Sequence, residues 1–301
     1  MNTTASLRPG LAAGVAAFSI WGFLPVYFKA VAHVAPDVTL AHRVAWSLPT
    51  GIVFVALASQ WPAVRRIVAD PKLMRALFAS AALMAVNWLI YIWAVAADRV
   101  MEGSLGYYIN PLVSFAIGAV LFSERFSKWQ LFAILLASIG VLNQTLVVGA
   151  FPWVALSLCL TFAAYGAIRK ATPVESRAGF LVEVVMMAPF AFAYLVWLSA
   201  TGADVTGGEP WDWAVLALAG PITAAPLILF AIAARNLRLS TVAILQFIGP
   251  TLQFACALYY GEPFTAGHAV TFAFIWAGVA VFSYDAWASD RLARAKVAAV
   301  G

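Results

Sequence analysis

Two ionisable side chains lie deep in apolar sequence: Arg43, within "TLAHRVAWSLP" (39–49), and Glu183, within "FLVEVVMMAPF" (180–190). A charge in the middle of a membrane helix costs about 2.5–3.5 kcal/mol, so it normally faces a cavity or a partner. Helical spacings of three and four put Thr39, Trp46, Ser47 and Thr50 on the Arg43 face. A guanidinium on such a polar face suits a carboxylate or other anionic group on a solute. The competing reading is that Arg43 snorkels to the headgroups from near a helix end. Glu183 suits coupling to protons, because a buried carboxyl can exchange its charge for a proton. His42 is read as packed and neutral, with a proton relay as the alternative.

Uncharged polar groups recur in the same surroundings. "NWLIYIWAV" (87–95) puts Asn87 and Tyr91 on one helix face, and "SLGYYINPL" (104–112) adds Tyr107, Tyr108 and Asn110. Tyr165 follows in "YGAIRK" (165–170), and Gln246 and Gln253 flank Pro250. Each amide or phenol can simply bond a neighbouring helix, at about 0.6–2 kcal/mol. Together they describe an interior lined by aromatic and amide groups, suited to an organic solute with apolar and polar parts. The candidate substrate-binding set is Trp21, Arg43, Trp46, Asn87, Tyr91, Tyr107, Asn110, Tyr165, Gln246 and Gln253, with Glu183 and His42 as coupling candidates. Gly10, Gly14, Gly106 and Gly118 fall on small-residue stripes and are read as packing positions.

The elements that must position these groups follow from composition. The chain is 64% apolar and 10% charged, far from the roughly 45–50% and about 25% of soluble domains. It reads as an all-α polytopic membrane protein. Runs long enough to cross the hydrocarbon core are expected at 9–31, 37–58, 73–96, 102–122, 128–147, 151–168, 177–200, 212–234, 240–260 and 267–287. The opening "MNTTASLRPG" and its apolar run are read as an uncleaved first helix, because the run is long and has no small-residue cleavage pattern. Cys159 and Cys256 lie inside spans and support no disulfide framework; His33, His42 and His268 are too scattered for a metal site. No cofactor is expected.

The net charge of +5 does not point to nucleic acid, because the basic residues sit in short connections and not on one face. Arg8, Arg65, Arg66, Lys72, Arg75, Arg125, Lys128, Arg169, Lys170, Arg177, Arg235, Arg238, Arg291, Arg294 and Lys296 fall at alternate connections. The other connections carry Asp98, Glu102, Asp204, Glu209, Asp212 and Glu262, so the positive-inside rule puts both termini in the cytoplasm. Lys29, at the outer end of the first span, is expected to snorkel.

The sequence also repeats itself. "AVLFSERFSKWQLFAILLASIGVL" (119–142) matches "ALYYGEPFTAGHAVTFAFIWAGVA" (257–280), aligning Glu124 with Glu262. Pro111 aligns with Pro250, Pro49 with Pro189, and "IWG" (20–22) with "AYG" (164–166). Each repeat, 1–149 and 150–301, therefore holds five spans. An odd number inverts the second copy, as in many secondary transporters, where sites form at discontinuous helices in matching positions. Pro111 and Pro250 make spans four and nine candidates for those helices, the alternative being a simple packing kink at each proline. Arg43 and Glu183 also align, but inversion puts them on opposite sides, roughly 10 Å apart vertically if each is two turns deep. They read as two gates, not a salt bridge. Glu124 and Glu262 are expected to cap or orient the next span.

Ten spans in inverted repeats with these "SER" and "GEP" glutamates resemble the EamA-like permeases of the drug/metabolite transporter superfamily. "WGFLPVYFKA" (21–30), "HRVAWS" (42–47), "NWLIYIWAV", "SLGYYINPL" and "YGAIRK" resemble the RarD branch, named for an association with chloramphenicol sensitivity. The resemblance runs over essentially the whole chain. It implies a bacterial inner-membrane permease, monomeric or homodimeric, with a central cavity and with spans five and ten peripheral. By the same resemblance the solute is an amino acid, a metabolite or an amphiphilic drug such as chloramphenicol.

Other classes fit less well. The sequence has no H-E-x-x-H, no G-x-S-x-G and no clustered His/Asp pair for an intramembrane enzyme acting on a lipid-linked substrate. It has no G-x-x-x-x-G-K-[ST] loop for ATP. A non-transporting scaffold leaves the repeated polar positions without a purpose. The expected activity is secondary transport of a small organic solute across the bilayer, with protons as a candidate coupling ion.

Overall fold

Proline and short polar residues set where the helices begin. In the computed structural model, which describes residues 3–122, 127–237 and 239–300, helix α1 (Thr3–Gly22) is followed by α2 (Leu24–Ala30). Helix α3 (Pro36–Leu57) opens on a proline whose missing N–H is no loss at that position, with Asp37 favourably placed in the first turn. Asp70 caps α5 (Pro71–Ala96) by accepting from the Lys72 and Leu73 N–H groups. Ser127 and Gln130 form a capping box at the start of α7 (Lys128–Leu146). The remaining long helices are α6 (Val100–Phe122), α8 (Trp153–Ala171), α9 (Ser176–Ala200), α11 (Ala219–Asn236), α13 (Ile248–Tyr259) and α14 (Ala266–Val300). Short helices α4 (Trp61–Ala69), α10 (Asp212–Ala217) and α12 (Leu239–Leu245) complete the chain, and the described residues contain no strand.

Eight helical stretches among the described residues are long and apolar enough to cross a membrane. The protein is a polytopic α-helical membrane protein. Helix α6 and the α12–α13 pair fall in the two remaining expected positions. One helix was not anticipated: α4, which carries Arg65 and Arg66 and buries Ile67. Its nine residues are too short to span, and its opposed basic and apolar sides suit the interface plane.

The interruptions differ from expectation. Span nine is broken, with a turn at Gln246–Phe247 between α12 and α13, but α6 runs unbroken through Pro111. Further breaks occur at Phe23 and Leu218. The physical reason is position: Pro25, Pro221 and Pro250 each lie within the first three residues of a new helix, where no intrahelical N–H is needed. Pro111 has helix on both sides, so it removes one internal hydrogen bond without ending the element.

Packing brings α1 against α11 and α13, α5 against α8 and α9, α6 against α8 and α13, and α3 against α9 and α11. Helices α7 and α14 pack chiefly on each other, and Trp129, Leu131, Phe132, Leu135 and Leu142 of α7 are exposed. That pair is therefore peripheral. Gly10 and Gly14 meet α11 and α12 through Asn236, Leu237 and Leu245. Gly106 leaves room for the Ala155 carbonyl, which a Cβ would approach to 2.6 Å.

The connections gather at two ends. At one, Lys29 pairs with Asp98, His33 with Asp212 at 2.8 Å, and Tyr194 donates to Asp37. At the other, Arg66 pairs with Glu175 at 2.9 Å. Lys29, at the outer end of the first span, reaches the exposed Asp98 carboxylate. Glu262 corrects an expectation: it accepts from the Val100 and Met101 N–H groups, at 2.5 and 2.8 Å, capping α6 and not the helix that follows it. Glu124, Arg125 and Arg238 lie outside the described residues.

Candidate substrate-binding site

The inner face of α3 carries a buried polar stripe. Thr39, Arg43 and Ser47, four residues apart, are 1%, 4% and 0% exposed. This exposure opposes snorkelling, which would leave the guanidinium in the headgroups. Arg43 donates from Nε to the Thr223 hydroxyl of α11 at 2.9 Å. Its guanidinium lies 4.1 Å from the Trp88 ring centre and 5.5 Å from that of Phe28, a cation–π setting that holds the charge without an acid. Tyr27, Tyr91 and Tyr107 lie within its electrostatic range. No hydrogen-bond partner among the described residues reaches Arg43 Nη1, Thr39 Oγ1, Ser47 Oγ or Tyr91 Oη.

A line of aromatic rings leads away from this charge. Phe28 meets Tyr91 at 6.0 Å between centres, Tyr91 meets Tyr107 at 5.6 Å, Tyr107 meets Phe162 at 6.2 Å, and Phe162 meets Tyr165 at 6.1 Å. The line ends at a second charged group. Glu183 accepts from Ser80 Oγ at 2.5 Å and pairs with Arg169 at 3.5 Å, both within electrostatic range of Tyr165. Arg169 was expected at the membrane surface as a topology charge; it turns inward, over Gly179, because a buried carboxylate attracts it. The available signal was its spacing: Arg169 lies four residues after Tyr165, on the same helix face.

Other expected residues fall as follows. The Asn87 amide nitrogen donates to the Leu158 carbonyl at 3.0 Å and the Thr161 hydroxyl at 2.9 Å, tying α5 to α8. Gln253 donates to the Trp21 carbonyl at 3.2 Å, while its own buried oxygen has no hydrogen-bond partner among the described residues. Trp21 packs on Phe18 and Phe230. Asn110 accepts from Ser114 at 3.3 Å, and Gln246 stands at the turn between α12 and α13. His42 contacts the Val205 carbonyl at 2.7 Å and, like Trp46, meets the Trp213 ring, so these two face the 201–213 connection. Trp88 and Phe28, which hold Arg43, were missing from the expected set; Trp88 lies three residues before Tyr91 in the same quoted motif. An apolar groove of about 290 Å³ opens at the Phe23 break, between Ser19, Ile20, Leu24, Tyr27 and Ile222. Tyr27 is shared between that groove and the surroundings of Arg43.

Two groups outside the spans have shifted acidities. Burial pushes the Glu262 carboxyl upward, against the opposing effect of the Met101 and Val100 N–H bonds. The Thr206 N–H and hydroxyl hold Asp204 below the usual carboxylate range.

A helical membrane bundle with buried charges joined by an aromatic-lined interior is an arrangement that suits a membrane transporter. Residues 8–144 match the model of the EamA-like transporter family. The chain is 41% identical over 286 residues to Protein RarD of Escherichia coli, covering 94% of this chain and 97% of that one. It is 40% identical over 289 residues to an uncharacterized transporter of Vibrio cholerae, with 95% and 96% covered. The Chloramphenicol-sensitive protein RarD of Pseudomonas aeruginosa is 32% identical over 290 residues, again with 95% and 96% covered. The chain belongs to the EamA-like transporter family, and it is a RarD-type, multi-pass protein of the bacterial inner membrane. A solved crystal structure only 16% identical matches 91% of the chain and 97% of its own length at a TM-score of 0.60, which speaks for the fold alone.

Proposed function

We propose that the protein is a secondary transporter that moves a small organic solute by alternating access between two inverted five-helix repeats, 1–149 and 150–301. The observation that carries this reading is a relation between two buried contacts. Arg43 of α3 bonds Thr223 of α11, and Glu183 of α9 bonds Ser80 of α5. Arg43 and Glu183 are 140 residues apart, and Ser80 and Thr223 are 143 apart, so exchanging the repeats carries one contact onto the other. The packing agrees, because α1 on α11 corresponds to α5 on α8, and α3 on α11 to α9 on α5. Two such repeat-related contacts, one at each end of the aromatic line, suit gates that open in alternation.

The ten-span topology with both termini cytoplasmic is part of the same reading. It is supported by the basic connections and by the division of connections between two ends. Glu183 is proposed to couple transport to protons by trading Arg169 for a proton as its gate opens.

The test is solute flux in proteoliposomes without ATP. Saturable flux is expected, with Arg43→Ala reducing it while expression and folding persist. Flux indistinguishable from empty vesicles across a broad panel of amino acids, metabolites and amphiphilic drugs would reject the transporter reading.

A further inference from the structure

We propose that the Arg43 site recognises a small organic carboxylate with an apolar body, bound by Arg43 and the Tyr91 hydroxyl. The proposal rests on the transporter reading and names the substrate class. Among the described residues no acidic side chain forms an ion pair with Arg43. The cation is 4% exposed, so it is buried without a counter-charge. Trp88, Phe28 and Thr223 contact the guanidinium, and among the described residues Nη1 has no hydrogen-bond partner.

The unpartnered atoms share one chemistry. Arg43 Nη1 can only donate, and the Tyr91, Thr39 and Ser47 hydroxyls can each donate. Thr39 and Ser47 lie about 12 Å apart along α3, so one group cannot reach both. The guanidinium itself calls for acceptor lone pairs and a negative charge, with the Tyr91 hydroxyl as a second donor. A carboxylate brings two oxygens with about four lone-pair sites, and its single charge balances one guanidinium. A phosphate monoester would leave an excess negative charge in a low-dielectric interior, at a desolvation cost. A neutral amide would leave the guanidinium uncompensated. The Phe28, Trp88, Tyr91 and Tyr107 rings then suit an apolar or aromatic body attached to the carboxylate.

The experiment compares 3-phenylpropanoate with 3-phenylpropanamide, nearly equal in shape and differing in charge. Binding to the purified protein is followed by tryptophan fluorescence. The acid is expected to bind saturably and at least tenfold more tightly than the amide. Arg43→Gln should abolish that preference, and Tyr91→Phe should weaken only the acid, about fivefold. Equal binding of the two, no saturable binding of either, or an unchanged preference in Arg43→Gln overturns the proposal. Should Arg43→Gln not fold, the wild-type comparison and Tyr91→Phe decide alone. Counterflow in proteoliposomes separates the two readings. Acid-selective binding without counterflow rejects transport and keeps the carboxylate site, whereas equal counterflow of acid and amide keeps transport and rejects the carboxylate.

Discussion

Arg43 and Thr223 meet at 2.9 Å between α3 and α11, and the contact is buried on both sides. Among the described residues the threonine hydroxyl is therefore the guanidinium's one hydrogen-bonded anchor, and the Trp88 and Phe28 rings pack against it. Replacing Thr223 by valine keeps the shape and removes the acceptor. Leaving a buried charged donor unpaired costs about 1–3 kcal/mol or more. Thr223→Val is expected to lower the thermal unfolding temperature in detergent and to reduce flux together. An unchanged melting temperature would mean that the rings alone hold Arg43.

At the other gate, Glu183 is shared between Arg169 and Ser80. If Glu183 trades its ion pair for a proton, Glu183→Gln mimics the protonated state permanently. Flux driven by a pH gradient is then expected to lose its dependence on that gradient, while solute counterflow continues. Dependence that persists in Glu183→Gln would remove Glu183 from the coupling step. Arg169→Gln leaves a buried carboxylate without its cation and is expected to destabilise the fold by about 3–5 kcal/mol.

Much of this arrangement is legible in the sequence because a membrane makes each charge conspicuous. Arg43 and Glu183 stand out from apolar neighbours, and their equal repeat positions follow from aligned prolines. Partners were harder to read. Thr223 and Ser80 are ordinary small polar residues, and only helix rotation decides which of them faces a charge. Arg169 looked like a surface charge because it sits at a helix end, yet side-chain reach and a buried acid turned it inward. Of the two helix breaks expected, the one in span nine is present and the one in span four is not, for a similar reason. A proline ends a helix or begins one according to the residues before it, and Pro111 and Pro250 look alike until those neighbours are placed.

Close backbone approach gives a prediction that needs no ligand. Gly220 of α11 lies against α3, where a Cβ would come within 2.1 Å of the Trp46 carbonyl oxygen. That oxygen belongs to helix backbone and cannot rotate away. Gly220→Ala is expected to cost at least the 1–3 kcal/mol typical of overpacking, roughly, and to weaken the Arg43–Thr223 contact three residues on. Gly166, in the middle of α8, has open space around it. Gly166→Ala is expected to be neutral or to stabilise by up to about 1 kcal/mol. Thermal unfolding of the two variants side by side checks both signs.

Glu262 offers a prediction in which pH carries the sign. Burial raises its pKa in the folded chain, although the Met101 and Val100 N–H bonds favour the charged form. The folded state therefore holds a proton to higher pH than the unfolded state does. Stability is fully present below the ordinary carboxylate range and falls as pH rises through the raised folded value. Beyond that value the dependence is flat. Unfolding temperatures measured from acidic to neutral pH are expected to show this decline, and Glu262→Gln, which cannot titrate, to lose it. Glu262→Ala should lose the decline as well and drop further, by about 1–3 kcal/mol, because two N–H groups at the start of α6 are left without an acceptor. A decline that survives in Glu262→Gln would assign the titration to a different carboxyl group.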